Sequence, residues 1–296
     1  MRCVGVIGLG NMGSGLARNL IKNGYQTLGL DLSPERMSDL AEMGGTPVES
    51  LAEIGRRSQA VFVMVMNGDQ AQSVILDDDG LVANMAPGST VILTATIRPS
   101  EARAIGAAMA GSGIHLIDSP VSGGFPGAQS GTLTMMAAGQ ADVLDAFAPV
   151  MQAVSNTIHR VGTQAGEGQT VKACLQSLIG SIFSATFEAA ALAAKAGVPG
   201  AVLYNVFSTS GAGCGVANTA LENIIDRRFE GTGSHISTMH KDLTISLDLA
   251  EGLGVPMHMA AAAMQLFHAG KTKYPEGDNW VVTRVIEDII GAELHR

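Results

Sequence analysis

Several groups of residues in this 296-residue chain are of types and spacings that could do chemistry. Gly8-Leu9-Gly10-Asn11-Met12-Gly13 has the spacing G-x-G-x-x-G, directly after an apolar run and at the head of a helical pattern. Alone the motif is weak in a chain with 37 glycines. Between a strand and a helix each glycine acquires a reason. The first permits a tight turn, the second lets backbone approach a pyrophosphate, and the third lets helix pack on strand. The phosphates of a dinucleotide would lie on the free N–H groups of the helix start. Asp31 follows Gly13 by eighteen residues, at the end of the next apolar run. A carboxylate there would accept hydrogen bonds from ribose hydroxyls and repel a 2′-phosphate, which favours NAD over NADP. Arg36 is near enough to meet a 2′-phosphate, so NADP stays open as a second cofactor. The plain alternative for Asp31 is a cap or turn residue before Pro34.

Two further segments could supply a substrate site. Asp118-Ser119-Pro120-Val121-Ser122-Gly123-Gly124 follows another apolar run. Its Ser-Gly-Gly loop would expose consecutive N–H groups and a hydroxyl, a cradle for a carboxylate; an ordinary glycine loop fits equally well. Gly166-Glu167-Gly168-Gln169-Thr170-Val171-Lys172 opens a long helical pattern, and Lys172 and Gln176 are four residues apart on one face. That face is otherwise small or apolar, and desolvating an ammonium is costly. Partial burial would lower the lysine pKa and suit it to proton transfer; the plain alternative is a lysine that reaches solvent. His240-Lys241-Asp242 opens a later helical stretch, where charges read as a solvated face. The seven histidines show no metal-ligand spacing, so no metal is expected, and Met257-His258-Met259 reads as core packing. No G-x-S-x-G nucleophile elbow occurs.

The elements that must position these residues alternate in the first half. Short apolar runs lie at 4–7, 27–30, 60–65, 91–93 and 114–117, with helical patterns such as 12–22 and 34–43 between them. Such alternation predicts βαβ units and a mostly parallel sheet in an α/β fold. Further strands are expected at 132–138 and 157–161. From 168 to 195 there is no proline and a dense run of Ala, Leu, Ile, Phe and Ser. This predicts one helix of ~40 Å at 1.5 Å per residue, closed by Gly197-Val198-Pro199. The remainder is helical in pattern, with loops at 229–233 and 271–279. The predicted division is 1–163 for a dinucleotide domain and 164–296 for an all-α substrate and oligomerisation domain.

Composition narrows the classes. Hydrophobic residues are 46% and charged residues 15%, enough for a substantial core. A net charge of -9 disfavours nucleic acid as a partner. Cys3, Cys174 and Cys214 are odd in number and in no C-x-x-C spacing, which argues against a disulfide framework and fits a reducing, cytoplasmic setting. No unbroken apolar run reaches the eighteen or so residues that span a bilayer, so no membrane partner is expected. Met1-Arg2-Cys3-Val4-Gly5-Val6-Ile7 could pass for a weak signal peptide, but its apolar stretch is short and the glycine motif needs this segment as a strand, so it reads as mature protein.

Together these segments resemble the β-hydroxyacid dehydrogenase family. Four motifs stand in the family's order across nearly the whole chain: the turn at 8–13, Asp118 to Gly124, Gly166-x-Gly-x-x-x-Lys172, and Lys241-Asp242-Leu243. The resemblance implies an N-terminal Rossmann domain, a long connecting helix and an all-α C-terminal domain, often assembled as a homodimer or homotetramer. It implies Lys172 as the catalytic acid/base, and Ser122, Gly123 and Gly124 as binders of the substrate carboxylate. It also implies Met66, Asn67 and Thr96 as cofactor contacts, with Lys241 closing over the cofactor. The family commonly has Asn where this chain has Gln176, which would orient the substrate hydroxyl from further out. That glutamine and the segment Tyr204-Asn-Val-Phe-Ser-Thr-Ser-Gly211 look like the branch acting on L-threonate. The expected reaction is hydride transfer between NAD and a small 3-hydroxy acid, a four-carbon sugar acid being one substrate. 3-Hydroxyisobutyrate and tartronate semialdehyde are the alternatives. An imine reductase usually lacks this lysine, a 6-phosphogluconate-type enzyme needs a more basic pocket, and a non-catalytic dinucleotide module would be expected to lose Lys172 or the glycine loop.

Overall fold

A computed structural model describes residues 3–296, so Met1 and Arg2 of the segment weighed as a signal peptide lie outside the described residues. The chain divides into two compact units, one ending at Lys172 and one running from Ala173 to Arg296.

The first unit is built on a nine-stranded sheet: β1 (Cys3–Ile7), β2 (Gln26–Leu30), β3 (Thr46–Pro47), β4 (Ala60–Val63), β5 (Thr90–Leu93), β6 (His115–Asp118), β7 (Val121–Ser122), β8 (Leu133–Ala138) and β9 (Ser155–Gly162). The order β3-β2-β1-β4-β5-β6 is parallel throughout, the doubly wound arrangement of a Rossmann fold. β8 then pairs antiparallel with β6 and β7 and parallel with β9. β4 and β5 are buried along their whole length, as strands covered by helices on both faces must be. One face packs on Leu16, Ala17 and Leu20 of the helix Asn11–Lys22. The other packs on Ile54, Ile75 and Ile105 from three further helices. The order in which strands are added switches from one side of β1 to the other at β4, and in such sheets ligands bind at the carboxyl ends of the strands on either side of that switch.

The expected strands form within a residue or two, except that the run at 60–65 stops at Val63, where the chain leaves the sheet. β3 and β7 have two residues each, too short to leave a period in the sequence.

The helix Glu167–Lys195 runs 29 residues, about 43 Å at 1.5 Å per residue. Gly197, at φ +74°, follows its end. By length and composition it is apolar enough to cross a membrane, but half of its most apolar stretch is buried inside the protein. Its Phe183, Phe187, Ala190 and Ala193 build the core of the second unit with Ile224, Leu243, Phe267 and Trp280. That unit is helical: Gly200–Thr209, Gly215–Ile225, Ile236–Leu253, His258–Lys273 and Val282–Ile290. The loop at 229–233 forms, held because Asp278 accepts the N–H and hydroxyl of Thr232 and the N–H of Ser234. The loop expected from 271 begins after Lys273. Met259, read as core, is largely exposed.

Candidate active site

Every sequence-derived candidate in the first unit lies at or just beyond the carboxyl end of a sheet strand or at the head of the long helix. Gly8 follows β1 with φ +85°, and a Cβ on it would sit 2.3 Å from the Met64 carbonyl oxygen. A Cβ on Gly13 would sit 1.7 Å from the Gly8 carbonyl oxygen, so both positions are closed to any side chain. Gly10 differs. It precedes the helix Asn11–Lys22 without a side-chain cap, and a Cβ there would meet only the Arg36 guanidinium, at 3.8 Å. The first-turn N–H groups of this helix are therefore open to an anion rather than capped from within. Leu9 and Met12 point their side chains toward the core, while Asn11 is exposed.

Asp31 follows β2 and is bound on both oxygens. The Leu9 N–H donates to Oδ2 at 2.6 Å and the Ser33 N–H to Oδ1 at 2.9 Å, with the half-exposed Arg36 guanidinium 3.4 Å away. Burial alone would raise its pKa, but these two N–H bonds and the Arg36 charge together hold it below the ordinary carboxylate value. Asp31 therefore braces the local turn, as a turn residue would, and stands as an ionised carboxylate beside the glycine turn.

Met66 and Asn67 follow β4. Met66 is exposed, and Asn67 caps the helix Gly68–Leu76 by accepting the Gln70 N–H at 2.9 Å. Thr96 follows β5, next to Thr94, whose hydroxyl donates to the Val63 carbonyl at 3.0 Å. Ser122 ends β7 and Gly123 and Gly124 follow it, and both glycines take positive φ, +134° and +59°, a conformation most side chains resist.

The helix that the glycine turn opens is fastened to the short helix Gly124–Ser130 that this loop leads into. Gly15 abuts Ala128 so closely that a Cβ would come within 2.5 Å of the Ala128 backbone. The Asn19 amide donates to Gly15, Ala128 and Gln129 carbonyls, and Gln129 donates to the Asn11 carbonyl at 3.1 Å. None of these tethers was apparent in the sequence, because their partners are more than a hundred residues apart.

Lys172 is only 6% exposed, and its Nζ donates to the Val121 carbonyl at 2.8 Å. The plain alternative of a solvated lysine is thereby removed. One residue to which the sequence assigned no role of its own stands at the same helix start. Asp118, the last residue of β6, accepts from the Gly166 and Gln169 N–H groups at 2.7 and 3.3 Å, so it caps the long helix from a strand. Burial pushes its pKa up to about 6 despite these bonds. The sequence signals were an acidic residue closing an apolar strand and its place at the head of the Asp118 to Gly124 motif.

In the second unit Gln176, equally buried, donates from Nε2 to Asp242 Oδ2 at 2.6 Å. Lys241 pairs with Asp242 Oδ1 at 2.9 Å. Asp242 is thus a buried carboxylate that holds Gln176, not part of a solvated face.

Residues 3–162 match the family model for the NAD binding domain of 6-phosphogluconate dehydrogenase. Residues 166–286 match that for the NAD-binding of NADP-dependent 3-hydroxyisobutyrate dehydrogenase. The chain is 36% identical to L-threonate dehydrogenase of Cupriavidus necator, over 99% of this chain and 98% of that one. It is 33% identical to 3-hydroxyisobutyrate dehydrogenase of Pseudomonas aeruginosa, over 94% of this chain and 95% of that one. Among solved structures, a 3-hydroxyisobutyrate dehydrogenase from Salmonella typhimurium superposes with a TM-score of 0.89 at 31% identity, covering 96% of this chain and 100% of that one.

Proposed function

The chain belongs to the β-hydroxyacid dehydrogenase family, NAD(P)-dependent oxidoreductases, and from that premise we propose that it oxidises a small 3-hydroxy acid with Lys172 as acid/base. The observation that carries the reading is the buried Lys172, held by Val121 one residue before the Ser122-Gly123-Gly124 loop. The turn fits a dinucleotide, since Gly10 leaves open the space a side chain would fill and the helix start has no internal cap. Gly8, Leu9, Gly10, Asn11, Met12 and Gly13 would hold the pyrophosphate and Asp31 the ribose. Met66, Asn67, Thr96 and Lys241 would supply further cofactor contacts. When bound, the nicotinamide ring supplies the hydride acceptor for oxidation and the donor for reduction.

The chain's own residues supply the rest. Ser122 and the N–H groups of Gly123 and Gly124 bind the substrate carboxylate. Lys172 Nζ takes the hydroxyl proton as the carbon is oxidised and returns it to the carbonyl oxygen in the reverse direction. The Val121 carbonyl fixes where that nitrogen sits. Gln176, one helical turn on, orients the hydroxyl with its amide pinned by Asp242.

For the substrate, the relatives named L-threonate dehydrogenase and the glutamine at position 176 favour a four-carbon sugar acid, L-threonate. 3-Hydroxyisobutyrate is the second reading, on the relative of that name. We assign NAD as the preferred cofactor, on the ionised Asp31, and a cytoplasmic setting, on the three free cysteines. We assign a homo-oligomer as the working form, on the exposed Leu178, Leu192, Val202 and Val206 of the second unit. Absorbance of NADH and NADPH, followed with hydroxy acids of three to five carbons, tests the reaction and its substrate. Turnover of L-threonate with NAD is expected; no turnover of any 3-hydroxy acid with either cofactor overturns the reading. Light scattering tests the assembly, and a monomer at micromolar concentration overturns that part.

A further inference from the structure

Gln169 is 1% exposed, three residues before Lys172 on the same helix. Three of the four hydrogen-bonding sites of its side-chain amide are used. Nε2 donates to the Ala95 carbonyl at 3.0 Å and to Asp118 Oδ1 at 2.9 Å, while Oε1 accepts the Ile97 N–H at 3.1 Å. The three partners leave no freedom to flip. A backbone carbonyl and an ionised carboxylate can only accept, and a backbone N–H can only donate. Ala95 and Ile97 flank Thr96, so one side chain grips the backbone on both sides of that residue.

Asp118 completes the arrangement. Its carboxylate takes Gln169 Nε2 on Oδ1 and the helix N–H groups of Gly166 and Gln169 on Oδ2. Three residues beyond Asp118, the Val121 carbonyl receives Lys172. The segment 118–121 is therefore joined to the helix at two points one turn apart, at Gln169 and at Lys172. Gly168 lets the helix lie this close, because a Cβ there would come within 2.6 Å of the Asp118 and Met136 carbonyl oxygens. A leucine or alanine would fill the helix interior at position 169 at no cost in helix propensity. A buried amide with both donors and its oxygen engaged is instead worth having where position matters.

We propose that Gln169 and Asp118 are positioning residues that lock the Thr96 segment and the Lys172 helix into one register, so that cofactor binding and proton transfer share a single support. This rests on the assignments of Thr96 and Lys172 made above. Neither residue touches substrate in this scheme. Gln169 acts through the backbone of Ala95 and Ile97, and Asp118 acts through the start of the helix.

The test uses the full-length Q169M variant, which keeps the length of the side chain and removes its donors and acceptor. Calorimetric titration with NAD, steady-state kinetics, thermal unfolding and amide hydrogen exchange are measured together. The dissociation constant for NAD should rise about tenfold, and kcat should fall on the order of 10²-fold, the loss that a displacement near 1 Å brings. The KM for the hydroxy acid should change less than kcat. The Ile97 amide should exchange faster while the interior of β5 keeps its protection. A merely structural residue would lower the melting temperature and leave kcat and NAD affinity per folded molecule unchanged. Q169M with NAD affinity and kcat within twofold of wild type overturns the proposal. If Q169M does not fold, Q169E carries the same comparison, since it sets a second carboxylate against Asp118 and removes both donors. A failure of the Lys172 assignment is distinguishable: K172A would keep its turnover, while Q169M would still weaken NAD binding and expose the Ile97 amide.

Discussion

Lys172 Nζ lies 2.8 Å from the Val121 carbonyl oxygen, so the one lysine at the head of the long helix is fastened to the strand that delivers Ser122. The proposed proton-transfer group and the proposed anion loop, far apart in the chain, are thereby tied together one residue before Ser122.

Replacing Lys172 by Ala should lower kcat by roughly 10²–10⁴, the range a positioned acid/base contributes. NAD affinity should stay within about threefold, because the glycine turn is untouched. Parallel measurement of kcat and of NAD binding checks this, and equal losses in both would place Lys172 in cofactor binding instead.

The glycines of the turn should separate by role. Gly10→Ala should fold with wild-type stability, since its backbone is in an ordinary extended conformation and its Cβ would make only ordinary contact with the Arg36 guanidinium, at 3.8 Å. It should nonetheless weaken NAD binding tenfold or more by occupying the phosphate position. Gly13→Ala should destabilise the fold by about 1–3 kcal/mol, the scale of forced overpacking, because the Gly8 carbonyl stands in the way. Urea unfolding and NAD titration of the two variants read these effects apart.

Asp31→Asn keeps an acceptor for the Leu9 N–H and removes the charge that opposes a 2′-phosphate. It also frees Arg36, now held at 3.4 Å. The ratio of kcat/KM for NADP over NAD should rise tenfold or more, about 1–2 kcal/mol after screening. Because Asp31 is held below the ordinary carboxylate value, the wild-type preference should be flat above about pH 5.

The sequence showed the Rossmann strands because burial on both faces forces continuous apolar runs, as in Val61-Phe62-Val63. It showed the glycine turn because sterics at Gly8 and Gly13 admit no other residue. Lys172 stood out as a charge on an apolar helix. The supporting polar residues did not. Asp118 and Gln169 are 51 residues apart, and Gln176 and Asp242 are 66 apart. A hydrogen bond between distant residues leaves no period, and a buried aspartate looks in sequence like a solvated one. For that reason His240-Lys241-Asp242 read as surface, although Asp242 is among the most buried carboxylates present.

Asp118 should leave a mark on stability against pH. Its folded pKa, about 6, lies above the ordinary 3.8, so between those values the folded protein holds a proton that the unfolded chain has lost. Stability from this group is therefore highest below about pH 4, falls as pH rises through about 6, and is flat beyond, a change of ~3 kcal/mol. Urea unfolding of wild type and Asp118→Asn at pH 4.5 and 7.5 isolates it. The variant should lack that decline, and identical pH dependence in both would contradict the assignment.

Gln176→Asn should alter substrate choice. The shorter amide gives up the 2.6 Å bond to Asp242 and draws back from the substrate. Discrimination between L-threonate and 3-hydroxyisobutyrate, as a ratio of kcat/KM, should shift about tenfold toward the latter, the scale of one lost hydrogen bond. An unchanged ratio would remove Gln176 from the specificity site.

The helix Glu167–Lys195 belongs to both compact units, with six residues in the first and the remainder in the second. Six residues are too few to stay helical in water. A first unit expressed alone and cut after Lys172 would keep its sheet and glycine turn, yet its lysine would sit on a fraying end. The chain is therefore not modular in the way its two family matches suggest. Nucleotide binding should survive separation, but the proton transfer proposed for Lys172 should need the uncut polypeptide, and recombination between relatives should succeed only where the crossover spares this helix.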